Sequence, residues 1–375
     1  MVATHPTRLQ GAQVKVQKLK VESHTRDYEV LISSSLETLQ SFYKSERKTF
    51  LVVDKALTDD MIFMKPLLGS AFKTKRVQAG EALKTLKGAE VICEWLARNN
   101  FNKGDVLVGV GGGTVQDLVG FVAQLFHRGC EWHYVPSTLL AQADSCVGSK
   151  TSINLNNWKN TLGGFYPPSL VLIATDFLRS LSDFDLASGN GEIFKFGLLK
   201  DISWSREGAK RNLVTRDNQE DWVRVIQECL SWKSQVVQAD EFDRNQRRIL
   251  NYGHSFGHAL ELSLDRNIQH GLAVVWGIDV ANWVGMRRGF TSQSVFENVR
   301  MVISETFPLL PSARLDSRLF WDSLKRDKKA TRAGIGEIFL ADFGAPKEHF
   351  ICFDSQLVED VTHYFKLPPC IVPIT

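Results

Sequence analysis

Alternating apolar and polar positions mark the first strands of the chain. Tyr28, Val30 and Ile32 share one side of an extended segment, and Phe50-Leu51-Val52-Val53 is a continuous apolar run before Asp54. Over residues 81–99, Leu83, Leu86, Ile92, Cys93, Leu96 and Ala97 recur at helical spacing. Val106-Leu107-Val108-Gly109-Val110 reads as a buried strand that runs into Gly111-Gly112-Gly113 and then a helix from Val115. Further strands are predicted at 132–135, stopped by Pro136, and at 170–173. Strands alternating with helices predict a parallel sheet covered on both faces. After about residue 183 the texture changes. Segments 184–200, 219–240, 250–265 and 271–288 read as helices, with short strands near Ile338 and Ile351. The pattern divides the chain into a Rossmann-like α/β nucleotide-binding domain, 1–182, and a mainly helical domain, 183–375, with the boundary near 180–185.

Composition narrows the class. A chain of 375 residues suits two packed domains, and 43% hydrophobic with 23% charged residues is ordinary for a globular protein. The net charge of +3 makes no case for nucleic acid, although a local basic cluster can still serve a small anion. The six cysteines are scattered, without a C-x-x-C pair, which points to a reducing cytosol. The first residues lack a signal-type apolar stretch, and no run approaches the ~18 apolar residues of a membrane span. A cytoplasmic enzyme is the expectation.

Candidate chemistry gathers in three places. The first is the glycine turn, where a strand becomes a helix and free N–H groups can meet a pyrophosphate. It is not a clean G-x-G-x-x-G, and a plain tight turn would look similar. Upstream, Glu81 and Lys84 form a G-E-x-x-K with Gly80, and Asp54 stands at a strand end. The second is Asn251-Tyr252-Gly253-His254-Ser255-Phe256-Gly257-His258, followed by His270-Gly271, so three of nine histidines lie close together. His254 and His258 are four apart and share a helix face, which suits two metal ligands, or one ligand beside an acid/base. Glu192 offers a carboxylate, and one carboxylate with two imidazoles and an open position describes a catalytic zinc site. No Glu follows His254, so the zinc-protease H-E-x-x-H is absent. The third is a set of basic and amide residues: Arg128, Lys150, Asn154, Lys159, Asn160, Lys195, Lys233, Arg247, Asn251, Lys328 and Lys329. Together they could receive phosphate and carboxylate.

These features resemble the 3-dehydroquinate synthase family of sugar-phosphate cyclases. The landmarks are Gly111-Gly112-Gly113 with Asp117, His127-Arg128-Gly129, the run Val135-Pro136-Ser137-Thr138 to Asp144-Ser145, and Gly148-Ser149-Lys150. Lys159-Asn160, Glu192-Ile193-Phe194-Lys195, Asn251 to Glu261 and Asp327-Lys328-Lys329 complete them. The resemblance implies NAD held by Asp54, Glu81, Lys84, Gly112, Gly113, Asp117, Ser137, Thr138, Asp144, Lys159 and Phe177. It implies zinc or cobalt on Glu192, His254 and His270, with His258 nearer the substrate phosphate. Lys150, Asn160, His258, Lys328 and Lys329 would meet phosphate, and Arg128 would reach across from a second subunit of a homodimer. Lys233 and Arg247 would take a carboxylate, and Lys195 and Asn251 ring hydroxyls; Lys150, Lys195, Asn251 and His258 form the implied catalytic set.

The implied reaction converts 3-deoxy-D-arabino-heptulosonate 7-phosphate to 3-dehydroquinate and phosphate. It runs by transient oxidation with NAD, phosphate elimination, reduction and intramolecular aldol closure. Some positions depart from the family: Leu272 stands where Glu is usual, Asn190-Gly191 precede Glu192, and Ser149 and Gln116 replace glycines. Alternatives are cyclases forming amino-dehydroquinate or 2-deoxy-scyllo-inosose or acting on sedoheptulose 7-phosphate, a metal-dependent alcohol or polyol dehydrogenase, and a non-enzymatic relative. Arg247 with Lys233 favours an acidic substrate, and His258 argues against the valiolone-forming branch.

Overall fold

A computed structural model describes residues 16–42, 47–58, 61–156, 158–200, 213–215, 219–265, 268–307, 314–327 and 329–367. The first half is built on strands β1 (Gln17–Val21), β2 (Tyr28–Ser33), β3 (Thr49–Asp54), β4 (Lys73–Val77), β5 (Val106–Gly111), β6 (Trp132–Pro136) and β9 (Leu170–Ala174). Between them come helices α1 (Leu36–Phe42), α2 (Lys65–Ser70), α3 (Leu86–Arg98) and α4 (Gly113–Leu125), and a hairpin of β7 (Lys150–Leu155) and β8 (Trp158–Phe165). The sheet order is β1-β2-β9-β6-β5-β3-β4, parallel except for β1, which runs antiparallel to β2.

Strand residues alternate between faces, and here each face is buried. Val30, Ile32, Phe50, Val52 and Leu107 join Ile92 and Leu96 of α3 and Leu118 and Val122 of α4 in one core. Leu31, Leu51, Val53, Val106, Val108 and Val110 join Leu36 and Leu39 of α1 and Leu67 of α2 in another. The continuous apolar runs that predicted central strands are therefore explained by burial on both sides.

Two predicted boundaries are corrected. The helix expected over 81–99 begins at Leu86, because the Thr85 hydroxyl accepts a hydrogen bond from Gly88 N–H at 3.1 Å and caps it. The helix expected over 250–265 is interrupted. A 3-10 turn, Gln246–Asn251, leads to Gly253 at φ +75°, and α7 (His254–Ser263) starts after it. The β7–β8 hairpin gave no apolar signal, since most of β8 is exposed.

The second half opens with α5 (Asp183–Lys200), α6 (Gln219–Ala239), α7 and α8 (His270–Arg287). It continues with α9 (Gln293–Thr306), α10 (Ser317–Lys325), an antiparallel pair of β10 (Gly334–Leu340) and β11 (Pro346–Cys352), and α11 (Ser355–Tyr364). Helix α8 is apolar nearly all round and buried from Gly271 to Asn282, as a central helix must be. Asp279 Oδ2 accepts from Arg300 at 2.9 Å and Tyr364 at 2.7 Å, and Asn282 Oδ1 from Tyr252 at 2.5 Å. Among the described residues, no helix is long and apolar enough to cross a membrane.

Candidate active site between the two halves

Three helices of the second half meet backbone to backbone, and each meeting point has a glycine beside a candidate ligand. A Cβ on Gly191 would lie 2.3 Å from the Gly271 carbonyl oxygen, and one on Gly271 would lie 1.8 Å from that of Ser188. Side chains at these positions would hold α5 and α8 apart. This contact brings Glu192 of α5 against His270 of α8, while His254 enters from the first turn of α7. Ligand atoms of Glu192, His254 and His270 all lie within 4.8 Å of one another.

The donor set fits one divalent ion. His254 Nε2 is 3.7 Å and His270 Nε2 is 3.6 Å from Glu192 Oε1. Ligands ~2.1 Å from a tetrahedral ion stand roughly 3.4 Å apart, close to these separations. The buried Glu192 carboxylate receives no directed hydrogen bond on either oxygen, although the Lys195 ammonium lies against Oε2. Oε2 thus has the ammonium, while Oε1 has no hydrogen-bond partner and faces both histidine Nε2 atoms, where a cation would satisfy it. On each histidine the other ring nitrogen is engaged. His254 Nδ1 donates to the Tyr252 carbonyl at 3.2 Å, and His270 Nδ1 to Glu261 Oε2 at 3.3 Å, so both rings turn Nε2 inward. Burial, then the charge of Lys195, drives His254 well below its ordinary value, keeping it neutral as a ligand must be. At His270 burial acts in the same sense, but the Glu261 hydrogen bond and the Glu192 charge prevail and raise it. A place that holds a proton between two carboxylates also favours a metal cation. His258 lies at the exposed edge, its ring 5.5 Å from each of the other two.

In front of His254 opens a cleft of roughly 700 Å3, counting the part open to solvent, lined by residues of both halves. Lys150, Lys195, Lys233 and Arg247 supply its positive charge, and Asn251 joins them. Lys233 is buried and donates to Asp144 Oδ1 at 2.5 Å and the Asp144 carbonyl at 2.6 Å. Burial lowers Lys233, and Arg247 lowers it further; Lys150 shifts the same way for the same two reasons. Cations crowded in this way gain from an incoming anion. Burial works against the Asp144 charge, yet Lys233 and Lys195 hold that carboxyl down at about 2.

Arg247 is set by backbone. One arm of its guanidinium donates to the Glu241 carbonyl, the other to Gly148 O at 2.9 Å. Gly148 has φ +138°, and a Cβ there would sit 2.4 Å from Arg247 Nη2, so glycine is required. Ser149 follows at φ +62° and donates its hydroxyl to Glu241 Oε1 at 2.7 Å. The buried Glu241 carboxylate also accepts from Ser23 Oγ and His24 N–H, both at 2.7 Å. It thus joins the β1–β2 turn, the loop before β7 and the end of α6.

The glycine turn lies at the carboxyl edge of the sheet. The chain leaves β3 for β4 on one side and crosses back from β4 to β5 on the other side of β3, and ligands of open α/β sheets bind at such a switch. Asp54 ends β3 and Gly111 ends β5, with Val53 paired to Val110. Gly112 then precedes α4, and a Cβ on it would meet Thr138 at 3.0 Å. Gly113 and Asp117 line the cleft, Ser137 N–H donates to the Gly111 carbonyl at 3.0 Å, and Lys84 pairs with Asp117 at 2.6 Å and also bonds Asn160. Glu81 accepts from Asn154 at 2.6 Å.

Other expected residues fall elsewhere. Phe177 is buried in the sheet core against Phe63, ring centroids 5.1 Å apart, and offers no side-chain surface to a ligand. Arg128 is exposed, at φ +62°, and does not line the cleft. Lys159 reaches Glu261 at 2.6 Å, and Lys329 donates to Ser255 at 2.5 Å. Lys328 lies outside the described residues. Sequence reasoning missed Asp243, which lines the cleft and pairs with Lys150 at 2.5 Å, and the carboxylates of Glu241 and Glu261. Glu261 had a signal, since it stands three residues after His258 on the same helix face.

Known proteins are similar to this chain in sequence and in fold. The family described as 3-dehydroquinate synthase N-terminal matches residues 74–188, and 3-dehydroquinate synthase C-terminal matches 189–330. The 3-dehydroquinate synthase of Pelagibacter ubique is 31% identical over 349 residues, 88% of this chain and 93% of that protein. That of Clostridium tetani is 35% identical over 276 residues, 71% and 73% of the two chains. A crystal structure of 2-deoxy-scyllo-inosose synthase complexed with carbaglucose-6-phosphate, NAD+ and Co2+ matches with a TM-score of 0.79 at 24% identity, covering 92% of this chain and 99% of that one. An iron-containing alcohol dehydrogenase from Thermotoga maritima has the fold at a TM-score of 0.57 and 15% identity, covering 85% and 91%. By sequence over most of its length and by fold, this chain belongs to the 3-dehydroquinate synthase family.

Proposed function

We propose that this protein converts 3-deoxy-D-arabino-heptulosonate 7-phosphate to 3-dehydroquinate and phosphate, using NAD and one divalent metal ion. The observation that carries the reading is that the Glu192–His254–His270 cluster reaches, through His254, the cleft lined by four cationic side chains. Such a cleft suits a substrate with two anionic ends and hydroxyls between them. NAD at the glycine turn would supply reversible hydride acceptance, and zinc or cobalt on the cluster Lewis acidity.

The chain's own residues do the rest by position and charge. Arg247, fixed by two carbonyls, has its guanidinium against the cleft and would take the substrate carboxylate together with Lys233. Lys150 and Lys329, with Asn160 and His258, would gather the phosphate end. Lys195, buried beside Glu192, and Asn251 would hold ring hydroxyls and keep their protons in place. His258 stands at the open side, where a proton passing to the leaving phosphate can be held. The same reading makes the protein a homodimer in which exposed Arg128 serves the neighbouring cleft.

The test is phosphate release from 3-deoxy-D-arabino-heptulosonate 7-phosphate, compared with sedoheptulose 7-phosphate and glucose 6-phosphate. Phosphate release from the acid alone, with no net build-up of reduced nicotinamide, is expected. Steady accumulation of reduced nicotinamide without phosphate would instead make the protein a dehydrogenase. Equal turnover of the carboxylate-free sugars would remove the assignment of Arg247.

A further inference from the structure

The expected metal ligands account for three side chains, yet a fourth group from the helical half and a fifth from the other half continue the line. His270 Nε2 faces Glu192, and its Nδ1 donates to Glu261 Oε2 at 3.3 Å. The other oxygen of that carboxylate, Oε1, receives the Lys159 ammonium at 2.6 Å. Glu261 lies near the end of α7, and its side chain is only 19% exposed. Lys159 comes from β8, whose hairpin extends out of the first half and crosses to α7. Lys159 therefore places its charge on a carboxylate behind a candidate ligand histidine.

We infer that Glu261 is a positioning residue for the metal, and that Lys159 anchors it from the cofactor half. The inference rests on the reading of Glu192, His254 and His270 as ligands. A carboxylate behind a histidine fixes the ring's rotation and tautomer and makes the inward nitrogen a better donor. His254 has only a neutral carbonyl behind it, so the charged support is concentrated on His270. His270 needs it more. It sits at the first position of α8, where no preceding helical turn restrains its side chain, and at 36% exposed it is the most open of the three. The salt bridge from Lys159 keeps the carboxylate turned towards the ring and ties ligand geometry to the placement of the hairpin. That hairpin also carries Asn160, bonded to Lys84 at the dinucleotide side, so one short strand touches both the metal and the cofactor regions.

The experiment is Co2+ binding to ion-free protein, read by competition with a chromophoric chelator and by the visible spectrum of bound Co2+. Parent protein should take one Co2+ per chain, and Glu192→Gln should take none. Glu261→Ala should weaken Co2+ by roughly 10–100-fold, and Glu261→Gln, which keeps the shape but not the charge, by less. Both should shift the visible bands, and Lys159→Met should weaken binding in the same direction by a smaller factor. Thermal unfolding of the ion-free variants should stay near the parent, because Glu261 is partly solvated. Unchanged Co2+ affinity and spectrum in both Glu261 variants would overturn the inference while leaving the ligand set standing. Failure of the parent to bind Co2+ would remove the ligand set and the inference together.

Discussion

Arg247 has its two arms fixed on the Glu241 carbonyl and on Gly148 O before any ligand arrives. A group held in this way loses little freedom on binding, so its contribution should appear as uniform affinity. Arg247→Ala is expected to raise KM for the acidic substrate far more than it lowers kcat. Loss of one partner from a buried charged pair amounts to about 2–5 kcal/mol. Arg247→Lys should recover part of this, since it keeps the charge without the planar fork. Steady-state kinetics on the three proteins decides it, and a fall in kcat at unchanged KM would contradict the role. At this scale the sequence was legible where rare residue types cluster. Glu192 and the histidines marked the cluster that the structure brings within 4.8 Å, but spacing alone left His254 and His258 equivalent. What separates them is the approach of α5 and α8, which no local pattern encodes. Glu241 and Asp243 gave no signal, because an acidic residue near a helix end reads as solvated.

Helices α5, α7 and α8 cross so closely that their glycines set the spacing of Glu192, His254 and His270. Gly277 repeats the motif one turn and more along α8, where a Cβ would lie 2.0 Å from the Gly253 carbonyl oxygen. Gly271→Ala should therefore push α8 from α5, because the obstructing atom is the Ser188 backbone oxygen at 1.8 Å and cannot swing away. Overpacking of this kind typically costs about 1–3 kcal/mol, and here it also separates His270 from Glu192. Urea unfolding should report the loss of stability, and Co2+ titration a loss of affinity; retained affinity would argue against the spacer role. The helices themselves were legible, with 184–200, 219–240 and 271–288 close to the observed α5, α6 and α8. The start of α3 was not, since Leu83 continues the apolar period while Thr85 caps the helix two residues later. Strands β7 and β8 were missed for a different reason: a hairpin that leaves its own sheet buries too little for alternation to develop.

The molecule as a whole joins a sheet that is buried on both faces to a helical half organised around α8, and that central helix carries a buried charge. Asp279 is raised from an ordinary 3.8 to about 6, chiefly by burial, with Arg300 and Tyr364 opposing. In that interval the folded chain keeps a proton that the unfolded chain has released. The term thus favours folding fully below pH ~4 and is lost as pH rises through about 6, on the order of 3 kcal/mol. Asp279→Asn should flatten this part of the stability–pH curve, measured by urea unfolding between pH 4 and 7 against the parent. An identical slope in both proteins would contradict it. The two-part architecture was legible because texture changes along the chain, from β-rich to helical near residue 183. Where the cleft opens depends on how the parts face each other, which no local pattern encodes.

The three groups assigned to the ion belong to three successive parts of the helical half, α5, α7 and α8, and the last of them opens α8. During synthesis, a ribosome-bound chain that has exposed Glu192 and His254 still lacks the third donor. Even after His270 emerges, the donors converge only once α8 has docked onto α5. With the ion on these groups, its capture would wait until α8 has left the exit tunnel, and products terminated before His270 would lack one of the three donors.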